Sequence, residues 1–265
     1  MMKRFFALFL VLMVLASCSE YQKALKNEDV AQKYKIGEKM YEAKKYQKAL
    51  RLFEQIAPTY RGKPQAEKLF YMYGKSFYAE KEFYSAGYQF DNFVSSYPRS
   101  EKIEEAAYLG AISYSKLSPR YSLDQVDTYK AIDKLQSFID NYPDSKYLAE
   151  ANDVVKQLRE KIEKKNFEIA KQYNTISDHK SALVALDIFL GEFPGTPFKE
   201  EALYYRFDSA YQLAINSIES KKEERLLAAK QAHATLIKFA PESKFRKKAD
   251  EMLEQLNNDL KSFSK

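Results

Sequence analysis

One phrase recurs along this chain and limits its fold more than any other feature. Tyr97-Pro98-Arg99-Ser100, Tyr142-Pro143-Asp144-Ser145, Phe193-Pro194-Gly195-Thr196 and Ala240-Pro241-Glu242-Ser243 each set a proline two residues before a hydroxyl side chain. In all four an alanine stands eight residues after the proline, at Ala106, Ala151, Ala202 and Ala249. Proline has no backbone N–H to donate and its ring collides with the preceding turn, so it marks where helices stop. The hydroxyl that follows is placed to cap the next helix. The alanine leaves room for that helix to pack closely. On this reading the eight prolines all fall between apolar-periodic stretches. The phrase predicts short helices joined by tight turns, in a repeating order.

A second spacing lies upstream. Gly37 is followed by Tyr46, Ala49 and Phe53, and Gly74 by Phe83, Ala86 and Phe90 at the same intervals. A small residue in one helix, then Ala and a large apolar residue one turn apart in the next, is the tetratricopeptide pattern. A third repeat pairs Gly110 with Ala131 and Leu135 across extra residues near Ser118 to Asp127, a fourth holds Ala170, Ala182 and Leu186, and a fifth has Ala229. The expected fold is all-α: a tetratricopeptide-like α-solenoid of about five helical pairs plus a C-terminal capping helix over residues 243–262. The last helix covers the open end of the stack, as terminal repeats require. From Asp144 to Leu190 there is no Gly or Pro, which predicts one long helix over 145–174 whose charged middle, Lys156 to Lys165, stands in solvent. Repeats one to three then occupy 29–143. The long connecting helix, repeats four and five and the capping helix occupy 144–265.

The chain start reads as an address. Lys3 and Arg4 precede an apolar run from Phe5 to Leu15, which is too short to span a bilayer. Basic, apolar, then small residues is the order of a secretory signal, assigned here to residues 1–17. Leu15-Ala16-Ser17-Cys18 has the form of a bacterial lipobox, and Cys18 is the only cysteine in the chain. Cys18 is therefore the expected lipidation site, followed by a lipid-anchored linker over 18–28. The formal charge of +6 falls by two when the signal is removed, and charges of both signs are interspersed. That is not the clustered basic surface of a nucleic-acid binder, so no nucleic-acid partner is expected.

Nothing in the sequence marks an enzyme, a cofactor or a metal. His179 and His233 are the only histidines and fall on different repeats without ligand spacing. His179 stands where Tyr46 and Phe83 stand in their repeats, which makes it a packing residue. There is no phosphate loop, nucleophile elbow or dinucleotide fingerprint. The adjacent acids Glu104-Glu105 and Glu223-Glu224 read as solvated helix faces. A binding surface does emerge from the 21 tyrosines. Tyr41, Tyr78 and Tyr114 stand four residues after the first three glycines, and Tyr34 and Tyr71 three residues before the first two. First helices line the groove of a tetratricopeptide array, so these five are the candidate peptide-binding groove. Tyrosine offers a broad apolar face and a hydroxyl that stays wet, which suits capture of a peptide.

The lipobox, the five helical pairs, the aromatic-Pro-x-Ser/Thr phrase, the insert before Tyr129-Lys130-Ala131 and the long charged helix after Tyr142-Pro143-Asp144-Ser145 occur in one order. In that order the chain resembles the BamD-type lipoproteins of the outer-membrane β-barrel assembly machinery. The resemblance implies a protein at the outer membrane, lipid-anchored on its periplasmic face. It implies binding to the periplasmic domains of the BamA-type barrel subunit through the C-terminal repeats. It also implies contact with other machinery components, and receipt of unfolded outer-membrane proteins by the N-terminal repeats. Two other readings stay open on the residues alone: a tetratricopeptide cell-envelope scaffold for division or peptidoglycan coordination, and a ligand-capturing surface lipoprotein.

Overall fold

A computed structural model of the chain describes residues 20–263. Cys18 and the signal segment lie outside the described residues. A helical segment over residues 20–26 leads into α1 (Val30–Glu42), followed by α2 (Tyr46–Tyr60), α3 (Ala66–Ala79), α4 (Phe83–Ser96), α5 (Ile103–Ser115) and α6 (Val126–Asn141). Then come α7 (Leu148–Thr175), α8 (His179–Glu192), α9 (Lys199–Ile215), α10 (Glu219–Phe239), α11 (Arg246–Leu260) and a 3-10 turn over Lys261–Phe263. No strand occurs among the described residues. The fold is the expected all-α tetratricopeptide-like stack of helical pairs with a last helix against the final pair.

The chain forms two compact units, one running to Pro119 and resuming over Gln125–Lys156, the other comprising Arg120–Asp124 and Gln157–Lys265. The division falls inside α7 rather than at the proline phrase before it. In the first unit each helix packs on its neighbour in sequence, and the first helices of adjacent pairs also touch, α1 on α3 and α3 on α5. Two glycines make the pairs close. A Cβ on Gly37 would lie 2.7 Å from the Phe53 ring, and one on Gly74 would lie 2.9 Å from the Phe90 ring. Both phenylalanines are fully buried, as are Ala49 and Ala86 beside them. The alanines after the proline phrases, Ala106, Ala151, Ala202 and Ala249, are fully buried too. In the second unit Phe167, Ala170, Leu186 and Phe189 form one core, and Phe207, Leu226, Leu236 and Leu256 belong to another.

Several sequence expectations change. Pro58 lies inside the last turn of α2 rather than between helices, and removes the one N–H that would have reached the Glu54 carbonyl. The hydroxyls of the proline phrases do not cap the next helix: the N-cap positions are Lys102, Phe198 and Phe245, none with a side-chain cap bond. Instead each serine reaches one repeat back to a carboxylate. Ser100 donates to Glu67 at 2.6 Å, Ser145 to Glu104 at 2.6 Å and Ser243 to Glu200 at 2.7 Å. The same oxygens accept the backbone N–H two residues on, at Lys102, Tyr147 and Phe245. A hydroxyl that both donates and accepts satisfies two groups at a joint.

The middle of the long helix is not a solvated shaft. Leu158 and Ile162 are buried. The tip of the insert lies on this stretch, with Lys165 donating to the Leu123 carbonyl at 2.7 Å and the Lys164 ammonium 4.5 Å from the Tyr121 ring centre. The segment expected as a linker is not loose either: Tyr21 and Ala24 are buried in the first-repeat core. Three turns close on left-handed residues that are not glycine, Lys44, Lys81 and Ser177. In each, the next N–H reaches back to a carbonyl five residues earlier, Lys45 to Met40, Glu82 to Phe77 and Asp178 to Tyr173, at 2.8 to 2.9 Å.

Candidate functional site: a tyrosine-lined face

The groove residues sit on first helices of the first unit. Tyr41 and Tyr78 are equivalent: each is half-buried and meets an aromatic at the start of the next helix edge-on, Tyr46 and Phe83, both at 5.8 Å. Tyr71 is also half-buried, leaning on Phe93 at 5.7 Å, with the ammonium groups of Lys75 and Lys102 6.0 and 5.9 Å from its ring centre. Tyr41, Tyr71, Lys68 and Lys102 line a depression of about 490 Å³. Tyr34 lies toward one end, stacked on Tyr60 at 5.2 Å and near the ion pair of Lys68 with Glu38.

Tyr114 is not part of this face. It is buried, its hydroxyl donates to Asp91 at 2.9 Å, and its ring lies 3.0 Å from where a Cβ on Gly87 would stand. Lys130 lies 4.4 Å from the ring centre on the far side. The cause is a one-residue slip in the third repeat. Gly110 backs onto Phe90 and Gly87 of the preceding helix and does not meet its own partner helix. Ala111, 37 residues after Gly74, holds the position that Gly37 and Gly74 hold. One residue turns a helix by about 100°, so counting from Gly110 picks the wrong face. Counting from Ala111 picks Tyr108, in series with Tyr34 and Tyr71.

Tyr147, half-buried, completes the face over Tyr108, which is buried beneath it, the two rings stacked at 4.2 Å with an interplanar angle of 6°. Two carboxylates lie among the rings. Burial and then the facing carboxylate of Glu105 push the Tyr71 hydroxyl far above its ordinary range, with Tyr41 and Tyr147 adding smaller effects. Burial and then Glu150 do the same to Tyr108, with Tyr78 and Tyr147 nearby. Burial works to raise Glu105, but Tyr71 and Lys75 outweigh it and hold the carboxyl below its usual range. Lys75 donates to Glu105 at 3.0 Å. Glu104 and Glu105 are thus both engaged, one at a repeat joint and one in the face, and are not merely solvated. Fixed rings whose hydroxyls face the carboxylates of half-buried Glu105 and exposed Glu150 form an amphipathic surface, suited to a chain that brings its own aromatic side chains.

Elsewhere the candidates are quiet. His233 is buried edge-on to Phe207 at 5.3 Å and hydrogen-bonds Asp250 at 2.9 Å. His179 is half-buried at the start of α8. Among the described residues, no three His, Cys, Asp or Glu side chains are placed to hold a metal ion. No described helix is long and apolar enough to cross a membrane.

Stacked helical pairs with an aromatic first-helix face define a tetratricopeptide scaffold, a class that works by holding other proteins. The chain belongs to the outer membrane lipoprotein family YfiO, whose model matches residues 26–179 and 162–263. It is similar to the outer membrane protein assembly factors BamD of Rickettsia prowazekii, at 24% identity over 83% of this chain and 88% of that one. The same factor of Caulobacter vibrioides is 21% identical over 73% and 63%. That of Pasteurella multocida is 19% identical over 83% and 88%.

Proposed function

We propose that this chain is a periplasm-facing lipoprotein of the outer membrane, held by acyl chains on Cys18, that acts as a scaffold of the β-barrel assembly machinery. Its C-terminal repeats hold the BamA-type barrel subunit. Its N-terminal face of Tyr41, Tyr71, Tyr78 and Tyr147, backed by buried Tyr108 and with Tyr34 at one end, receives unfolded outer-membrane proteins by their aromatic-rich last strand. The family and its assembly-factor relatives support the setting. The observation that carries the substrate role is the face itself: the half-buried rings of Tyr41, Tyr71, Tyr78 and Tyr147, with the carboxylates of Glu105 and Glu150 among them, leave an apolar surface with polar rims.

The test is affinity capture from detergent-solubilised envelope, using the full lipoprotein as bait. Recovery of a large barrel subunit together with barrel precursors is expected. Recovery of division or peptidoglycan enzymes in their place overturns the reading. Capture of the barrel subunit with no binding of a peptide copied from a barrel's last strand leaves a scaffold and removes the substrate role.

A further inference from the structure

We infer that the turn edge of the first repeat is a membrane-contacting surface, built to lie on anionic lipid headgroups beside the anchor. The inference rests on acylation of Cys18. Only Ser19 separates Cys18 from Glu20, the first described residue. Two residue steps span at most about 7 Å even fully extended. From there the chain has no slack, because Tyr21 and Ala24 are already buried in the repeat core. The folded body therefore begins within about a Debye length, roughly 8 Å, of the headgroups.

What the body presents there is basic. Glu20 pairs with Lys39 at 2.8 Å, and Lys35 and Lys23 are close enough to hold its carboxyl further below the usual range. The Lys48 ammonium lies 5.1 Å from the Tyr21 ring centre. Lys39 and Lys48 flank the turn between α1 and α2, which carries Lys44 and Lys45, both exposed. Lys44 takes the left-handed conformation that closes the turn, which places two exposed lysines side by side. The acids at this edge are Glu20, engaged by Lys39, Glu38, engaged by Lys68, and Glu42, with Glu82 accepting from Gln47 beside the turn. Lysines near an anionic leaflet each add to attraction. Here they act on a body that a lipid already keeps close, so they set its orientation rather than its affinity.

The test uses the full lipoprotein in vesicles of phosphatidylethanolamine and phosphatidylglycerol, compared with vesicles of phosphatidylcholine. A membrane-impermeant amine reagent labels exposed lysines, read residue by residue by mass spectrometry. Lys23, Lys44 and Lys45 should label several-fold more slowly on the anionic vesicles, while Lys63 and Lys247 label alike on both. Raising the salt to 0.5 M, or reading Lys39 and Lys48 in a Lys44→Glu/Lys45→Glu variant, should remove the protection. Equal labelling on both lipids overturns the inference, as does protection that survives both salt and charge reversal. Intact mass decides the anchor separately. An unacylated Cys18 refutes the anchor reading, whereas an acylated chain with lipid-independent labelling refutes this inference alone.

Discussion

Replacing Tyr114 with Ala, set against a Tyr41→Ala/Tyr78→Ala double variant, separates core from binding face in the first unit. Tyr114 is 5% exposed. Removing a fully buried aromatic ring costs about 3–5 kcal/mol in other cores, and here the Asp91 carboxylate also loses its hydroxyl partner while keeping Lys134 at 2.8 Å. Tyr41 and Tyr78 are half-buried, so each removes from the fold about half of a tyrosine's 150–250 Å², at roughly 25 cal/mol per Å². That bounds each at about 2–3 kcal/mol, and relaxation of the exposed half brings the expected cost nearer 1–2 kcal/mol. Tyr114→Ala should therefore destabilise more than either single face variant, lowering the melting temperature by about 6–20 °C at some 2–4 °C per kcal/mol. Binding should show the opposite order. The double variant should weaken a last-strand peptide by about 1–2 kcal/mol or more per tyrosine. Tyr114→Ala, titrated well below its melting point, should bind it as the parent does. Melting curves and peptide titration on the chain from Ser19 to Lys265 give both readings. A Tyr114→Ala protein that melts above the Tyr78→Ala single variant, or a double variant with parental peptide affinity, refutes the assignment of the two surfaces.

Three further outcomes are expected. Ala86→Leu should overpack the second pair and cost about 1–3 kcal/mol, whereas Ala43→Leu, at the exposed end of α1, should leave the melting temperature nearly unchanged; equal melting would show that the pair contact is misplaced. Ser177→Gly should stabilise the α7–α8 turn by about 0.5–1 kcal/mol, because a left-handed φ of 65° strains a residue with a Cβ, and a drop in denaturant midpoint would contradict it. Burial first, then Glu54 and Glu82, pushes the Tyr73 hydroxyl up to about 12. Its folded value lies above its unfolded value near 10, so its stabilisation is complete below pH 10 and is lost as pH rises toward 12. At about 1.4 kcal/mol per unit that is roughly 2–3 kcal/mol, part of a falling urea midpoint between pH 9.5 and 11.5 whose slope Tyr73→Phe should reduce, the remainder coming from Tyr71, Tyr108 and Tyr114.

The helices were legible because proline punctuation and the glycine–phenylalanine interval are local, and each follows from a steric requirement. Gly37 and Gly74 read correctly because a ring lies on their backbone. Gly110 misled for the same reason: it too is crowded, but by the helix before it, and one sequence does not say from which side a neighbour comes. A strict period of 37 residues would have chosen Ala111 and with it Tyr108. Tyr147 and Glu150 were out of reach, since they enter the face from the start of the long helix and belong to no repeat register. The burial of Leu158 and Ile162 was hidden because the insert tip, which meets the same helix at Lys164 and Lys165 through Tyr121 and Leu123, comes from a stretch with no periodicity.

The serine-to-carboxylate joints bear on how such a chain can change its length. Ser100 and Glu104 lie one helical turn apart, the first a plug into the repeat before and the second a socket for the repeat after. A module copied or deleted as one piece carries both halves, so the seam it leaves still finds its mate. Only a cut between the two strands one half. Where Ala149 replaces the socket, the hydroxyl of Thr196 instead accepts the N–H of Phe198 at 3.3 Å. With no carboxylate at Ala149, a module of different length entering the chain after it would break no such matched pair.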